Sequence, residues 1–339
     1  MSLPVNIAAV LQNAVVVSIP TTTDFRGISY REAMLFQGPA GWSEFSPFLE
    51  YDASESARWL KAAIEGAYCP WPEFQRDRIA INATLPRIPT EDVPAFLQKF
   101  VGCATVKMKV DDFESDADRL EAVLDEIPDA KIRLDVNGGW SLDDARKHIF
   151  NYHHRFGNVF DYIEQPTLAT DDLRTLKGEI PFRIAADESI RKELGKDFSD
   201  LHDYADVAII KWAPIGGFTA AQKLIAEIGL PVVVSSALET GIGISHGLAL
   251  AASVTNLDGA CGLGTVALLT SDVVAPAVLP FGGEMEVARL TPDAALLSRF
   301  TADPNRTAWW ENRVVEIWSD QFAREIEESG WLNSWTPLN

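Results

Sequence analysis

The stretch ATVKMKV, Ala104 to Val110, decides how the rest of the chain is read. β-Branched and apolar residues dominate it, and in a strand Lys107 and Lys109 stand two positions apart and share a face. Two ammonium groups on one side of one strand raise the cost of charging each other. An apolar wall adds to that cost, so one of the pair can be neutral near pH 7 and act as a base. Taken alone, the run also fits an edge strand dressed with lysines against aggregation. The segments that follow separate the two readings.

Strand-like and helix-like segments alternate from Ile79 onward. Strands are expected at 78–84, 105–110, 131–136, 160–164, 182–186, 207–211 and 231–235, with a weak eighth near 259–262. Helical spacing is expected between them, at 113–126, 142–156, 171–177 and 219–228. Strands recurring at the length of one βα unit predict an α/β fold built on a closed parallel (β/α)7–8 TIM-type barrel spanning residues 76–284. Residues 1–75 read as an α+β capping domain. It has strands at 14–19 and 28–36, a turn at Gly38–Gly41, a third strand or ordered loop at 41–48, and a helix at 52–68 capped by Asp52 or Ser54. The tail, 285–339, carries the strand-like MEVARL, a helix at 292–299, and an amphipathic piece with Trp309, Trp310 and Trp318 that is expected to pack back on the cap.

In such a barrel the C-terminal ends of the strands face the active site. The charged residues there are Lys107 and Lys109, Asp135, Glu164, Asp187 with Glu188, and Lys211. Buried carboxylates from three adjacent strands cannot all stay ionised without a cation, so the trio calls for a metal. Oxygen-only ligands on separate strands suit Mg²⁺ with open positions for water and substrate.

These motifs, KxK at Lys107 and Lys109, LDVNGGW with Asp135 and Asn137, DYIEQP with Glu164, IAADES with Asp187 and AIIKWAPIGG with Lys211, resemble in this order the enolase superfamily and its muconate-lactonising subgroup. The resemblance reaches into the cap through RGISYREA and GWSEFSPF, and into VVSSALETGIG. It implies that Asp135, Glu164 and Asp187 hold Mg²⁺, that Lys109 is the acid/base with Lys211 facing it, and that Lys107, Asn137, Ser236 and Gly262 line the substrate pocket. The short cap, GWSEFSPF, SSALETGIG and the turn at Gly262 to Gly264 are most similar to the o-succinylbenzoate synthase branch. That branch implies a dehydration in menaquinone biosynthesis. The alternative on the same scaffold is an N-acylamino-acid racemase or dipeptide epimerase, whose cap loop is usually longer than the roughly eight residues expected here. Trp212 and Pro214 after Lys211 depart from the family's usual pattern.

A net charge of −20 argues against a nucleic-acid or anionic-membrane partner, and no run of apolar residues is long enough to span a bilayer. The N-terminal stretch lacks a basic region, so no signal peptide is expected, and Cys69, Cys103 and Cys261 are too scattered for a disulfide framework. A cytoplasmic enzyme acting on a small carboxylate, with no obligate protein partner evident, is the resulting expectation. TGIGISHG does not have dinucleotide spacing, and its amides are expected to receive a substrate carboxylate. His148, His153 and His154 read as a solvated helix face, and His246 as a structural residue near the rim. A Schiff-base lysine or a non-catalytic binding barrel would leave the three acids without a role.

Overall fold

The computed structural model describes residues 7–25 and 27–318. A short helix, α1 (Ile7–Gln12), leads into an antiparallel sheet of β1 (Val15–Phe25), β2 (Ile28–Gly38) and β3 (Gly41–Phe45). The first hairpin is longer than expected. β1 continues through the threonine run past a register shift after Pro20, and Thr22 Oγ1 donates to Leu268 O at 3.1 Å, so the hairpin end lies against the barrel. Helix α2 (Ala53–Tyr68) packs on β3. Asp52 accepts from the Glu55 amide at 2.8 Å and starts it, and Trp59, Leu60, Ala63, Ile64 and Ala67 form its buried face.

The barrel follows as β4 (Arg78–Ala80), β5 (Ala83–Leu85), α3 (Val93–Leu97), β6 (Thr105–Lys109), α4 (Phe113–Glu126), β7 (Lys131–Asp135), α5 (Leu142–Phe156), β8 (Phe160–Glu164) and α6 (Thr170–Lys177). It continues with β9 (Arg183–Ala186), α7 (Glu188–Arg191), α8 (Leu201–Tyr204), β10 (Val207–Lys211), α9 (Trp212–Ile215), α10 (Phe218–Ile228), β11 (Val232–Ser235) and α11 (Gly241–Ser253). Strands β5 to β11 form a parallel sheet in sequence order.

Two expected strands differ from the observed ones. The segment 78–84 is split: β4 pairs antiparallel with β12 (Glu284–Glu286), and only β5 joins the barrel sheet. Asn82, at the break, is buried and turns its amide onto Ala83 O at 3.0 Å and Thr84 Oγ1 at 3.2 Å, which competes with a continuous ladder. The eighth strand is reduced to single parallel bridges, Ser235 with Gly262 and Ile81 with Cys261, that tie the two sheet edges together. The floor of the barrel is ionic, with Arg133 Nε on Asp161 at 2.8 Å and its guanidinium 4.6 Å from the Tyr162 ring centre.

On α5 the histidine reading is corrected. His148 shares the buried face with Ala145, Ile149 and Tyr152; its Nδ1 accepts from the Phe113 amide at 3.1 Å and its ring lies on Trp140. The i, i+3, i+4 spacing with three apolar residues outweighs the polarity of the ring. Of the three histidines there, His154 is exposed.

The tail closes onto the cap through α12 (Ala294–Phe300) and α13 (Pro304–Ile317), which contact β1, and α13 also lies on α2. Trp310 is fully buried, edge-on to Phe45, and donates to Glu32 of β2 at 3.0 Å, where Arg306 also binds. Trp309 stays 38% exposed under the Arg306 guanidinium. The expected tail segment beyond Trp318 lies outside the described residues.

Candidate active site

Parallel register brings the strand-end charges to one level. Lys109 stands beside Asp135, Asp135 beside Glu164, and Lys211 beside Ser235. Strand polarity then carries all of them to the same mouth. A single pocket is lined by Lys107, Lys109, Asp135, Asn137, Lys211, Ser236 and Gly262 among others.

Asp135, Glu164 and Asp187 are each at most 1% exposed. Lys107 Nζ sits between the first two, 2.9 Å from Asp135 Oδ2 and 3.0 and 2.9 Å from the Glu164 oxygens. Lys109 Nζ donates to Asp135 Oδ2 at 2.6 Å and to Asn137 Oδ1 at 2.5 Å. Lys211 Nζ donates to Asp187 Oδ2 at 2.6 Å. Lys109 and Lys211 therefore approach from β6 and β10, with three strands between them.

The two lysines of the KxK motif differ in protonation. Burial opposes charge on Lys107, but Asp135 and Glu164 outweigh it and hold the ammonium well above its usual range. Burial pulls Lys109 down, Lys107 adds to that, and Asp135 only partly offsets them. Despite burial, Lys107 and Lys109 keep Asp135 well below the usual carboxylate range, and Lys211 with Arg191 lowers Asp187. Glu164 goes the other way: burial and the neighbouring Asp135 push it up to about 7.

Among the described residues, no three His, Cys, Asp or Glu side chains close on one point as a ready metal cage. The physical reason is on view, since lysine ammoniums occupy the space among the acids. The donor set still fits a hard cation: Asp135 Oδ1 and Asp187 Oδ1 are buried with no hydrogen-bond partner, and every donor is a carboxylate oxygen.

Supporting residues complete the mouth. Asn137 takes a left-handed backbone (φ 53°), rare without glycine, and this aims its amide between Lys109 and Glu188 Oε1, 3.3 Å away. Ser236 Oγ is hydrogen-bonded to Gly262 O at 3.0 Å and lies 2.7 Å from Thr265 Oγ1. Gly262 has no room for a side chain, because a Cβ there would stand 2.6 Å from Ser235 Oγ. Sequence reading missed Gln165, whose Oε1 accepts from the Asp187 and Ser189 amides at 3.1 Å and so fixes the Asp187 turn; its place in DYIEQP was the available signal. It also missed Arg191 and the cap residues Phe48, Tyr51 and Trp59 that line the pocket. GWSEFSPF signals only the first of these.

The glycine-rich start of α11 does receive a carboxylate, but the protein supplies it. Glu44 of β3 accepts from Thr240 N at 3.1 Å, Gly243 N at 3.0 Å and Thr240 Oγ1 at 2.6 Å, and Asp272 takes the Gly241 amide at 2.8 Å. These amides are thus not open to a substrate. His246, expected near the rim, is buried at this seam and stacked on Trp212, with ring centres 4.4 Å apart. Gly66 of α2 lets the cap helix approach it, since a Cβ there would lie 2.5 Å from the ring.

Among the described residues no helix is long and apolar enough to cross a membrane. Residues 16–67 match the family description "Enolase N-terminal domain-like" and residues 95–292 match "Enolase C-terminal domain-like". The o-succinylbenzoate synthase of Mycobacterium tuberculosis is 41% identical over 315 residues, covering 92% of this chain and 95% of the relative. That of Mycobacterium marinum gives the same figures. In solved structures, the muconate lactonizing enzyme of Pseudomonas fluorescens superimposes with a TM-score of 0.71 at 20% identity, covering 86% of this chain and 98% of that one. The L-Ala-D/L-Glu epimerase of Bacillus subtilis gives 0.67 at 24% identity, with 82% and 96% covered. The structural likenesses speak to fold alone, whereas the sequence match runs nearly end to end. By these matches the chain belongs to the enolase superfamily, alongside its o-succinylbenzoate synthases.

Proposed function

We propose that the protein is a cytoplasmic o-succinylbenzoate synthase that uses Mg²⁺ to dehydrate 2-succinyl-6-hydroxy-2,4-cyclohexadiene-1-carboxylate to 2-succinylbenzoate. The observation that carries this reading is the pair Lys109 and Lys211, held by Asp135 and Asp187, on strands with three others between them and facing one pocket. The family is metal-dependent, and Asp135, Glu164 and Asp187 are the residues that would hold the ion. When bound, the ion supplies charge stabilisation at the carboxylate next to the carbon that loses its proton.

Everything else falls to the chain's own side chains. Lys109, pulled below the usual range chiefly by burial, takes the proton at its Nζ. As an ammonium it then sits on the same face as the departing hydroxyl and can return the proton there, so one residue serves both half-steps. Lys211 Nζ, anchored by Asp187, faces the ring from the other side and stabilises the anionic intermediate by charge. Lys107 keeps Asp135 and Glu164 from repelling one another, and Asn137 fixes the direction of the Lys109 amine. Loss of water leaves an aromatic ring, so the step is downhill. Ser236 and Gly262 line the pocket.

The proposed division is a cap of residues 1–75, a barrel of 76–284 and a tail of 285–339. No nucleic acid or obligate protein partner is invoked. The test is to mix purified protein, Mg²⁺ and the cyclohexadiene and follow the aromatic product by absorbance, with an N-succinyl amino acid assayed in parallel. Formation of 2-succinylbenzoate supports the reading. Racemisation without dehydration replaces it with the racemase alternative.

A further inference from the structure

The proposed substrate carries two carboxylates, and the metal-ligand trio accounts for one. The amides of α11 are filled by Glu44 and Asp272, so the second must be met elsewhere. The cations lining the pocket are Lys107, Lys109, Lys211 and Arg191. Each lysine is engaged on an acid of the trio, and the two flanking ones are needed for proton transfer and charge stabilisation.

Arg191 differs in spare capacity. It ends α7, four residues after Asp187, and lines the same pocket as Tyr51, Trp59 and Pro214. It is 7% exposed. Its Nη2 donates to Glu188 Oε1 at 2.7 Å, and its Nε lies 3.3 Å from Asp187 Oδ1 without forming a hydrogen bond. Those two contacts hold the plane of the guanidinium. Nη1 has no hydrogen bond among the described residues, which leaves two N–H groups of a rigid fork to spare. Trp59, which lines the same pocket, has a buried indole N–H that is likewise unpartnered. In a pocket closed by aromatic side chains, a charge-assisted hydrogen bond from such a donor is strong and directional.

We propose that Arg191 is a specificity-determining residue that binds the terminal carboxylate of the substrate's succinyl chain, so that the enzyme selects dicarboxylates over monocarboxylates of the same shape. This rests on the functional reading above. Glu188 and Asp187 act here as braces for the arginine, which ties the ligand-selecting wall to the same turn that carries the trio's third acid.

The experiment compares two ligands by titration calorimetry with Mg²⁺ present. One is 2-succinylbenzoate; the other is 2-butanoylbenzoate, in which a methyl group replaces the terminal carboxylate. Arg191→Met is expected to weaken 2-succinylbenzoate by roughly 10- to 100-fold, the range for losing a hydrogen bond to a charged group, and to leave 2-butanoylbenzoate nearly unchanged. Arg191→Lys should give an intermediate ratio, and it carries the same test if the methionine variant does not fold. Because both ligands share the ring carboxylate, damage to the metal site would weaken both equally, and that outcome, or no weakening of either, overturns the proposal. Wild-type turnover is measured first. An unchanged ligand ratio in a protein that makes 2-succinylbenzoate sinks this inference alone, whereas a wild-type protein that makes none sinks the functional reading beneath it.

Discussion

Two regions of this molecule hold buried carboxylates that are neutralised in different ways. At the barrel mouth Asp135, Glu164 and Asp187 are met by the ammoniums of Lys107, Lys109 and Lys211. At the seam between cap and barrel, Glu44 and Glu65 are met by backbone amides at the starts of α11 and α10; Glu65 accepts from the Thr219 amide at 3.0 Å and from the Phe218 amide. Ammoniums on flexible stems can move, titrate and yield to a ligand or ion. Helix amides can do none of these. The first arrangement suits chemistry and the second suits docking one domain on another.

The largest test of that contrast is at the mouth. Lys109→Ala and Lys211→Ala are each expected to lower kcat by at least roughly 10²–10⁴-fold while Mg²⁺ still binds. Steady-state rates alongside Mg²⁺ titration check this, and wild-type rates from either variant would erase the distinction between the two regions. Next in size is the ion itself. Chelation should abolish turnover, and Mg²⁺ at about 100 times its Kd should stabilise the wild type by about 2.7 kcal/mol, read as a rise in Tm. Asp187→Asn should lose most of that rise. Glu44→Gln, at the seam, should keep it.

Smaller effects distinguish the seam by pH. Burial, with Glu239 adding, pushes Glu44 up to about 7 from 4.5. Between those values the folded chain keeps a proton that the unfolded chain has lost, so this group's contribution to stability falls as pH rises from about 4.5 to 7. Burial pulls His246 the other way, down to about 4 from 6.5. Here the unfolded chain gains the proton first, so stability falls as pH drops from about 6.5 to 4. Urea midpoints across pH should therefore change slope in opposite senses for Glu44→Gln and His246→Asn. Changes of the same sign would mean that burial is not what sets these two groups.

The mouth was legible in sequence because strand period and parallel register carry charges at equal offsets to one level, as Lys109, Asp135 and Glu164 illustrate. The seam was not. Its carboxylates bind amides far away in the chain, 199 positions for Glu44 at Gly243 and 154 for Glu65 at Thr219, and no local pattern announces that. The chemistry read into TGIGISHG was right in kind, an anion on a helix N-terminus, but the anion belongs to the cap. His148 lies on the buried face, not the solvated one, because the apolar residues at helical spacing around it outweigh the polarity of its ring. The split first strand turned on one buried side chain, Asn82, whose preference for its own backbone outranks the apolar run on either side.

The central claim is a matter of geometry, and a crystal structure with Mg²⁺ and 2-succinylbenzoate bound tests it most directly. The account predicts one ion held by Asp135, Glu164 and Asp187, with Lys109 and Lys211 on opposite faces of the aromatic ring. An ion bound away from those acids, or both amines on one face of the ring, would contradict it.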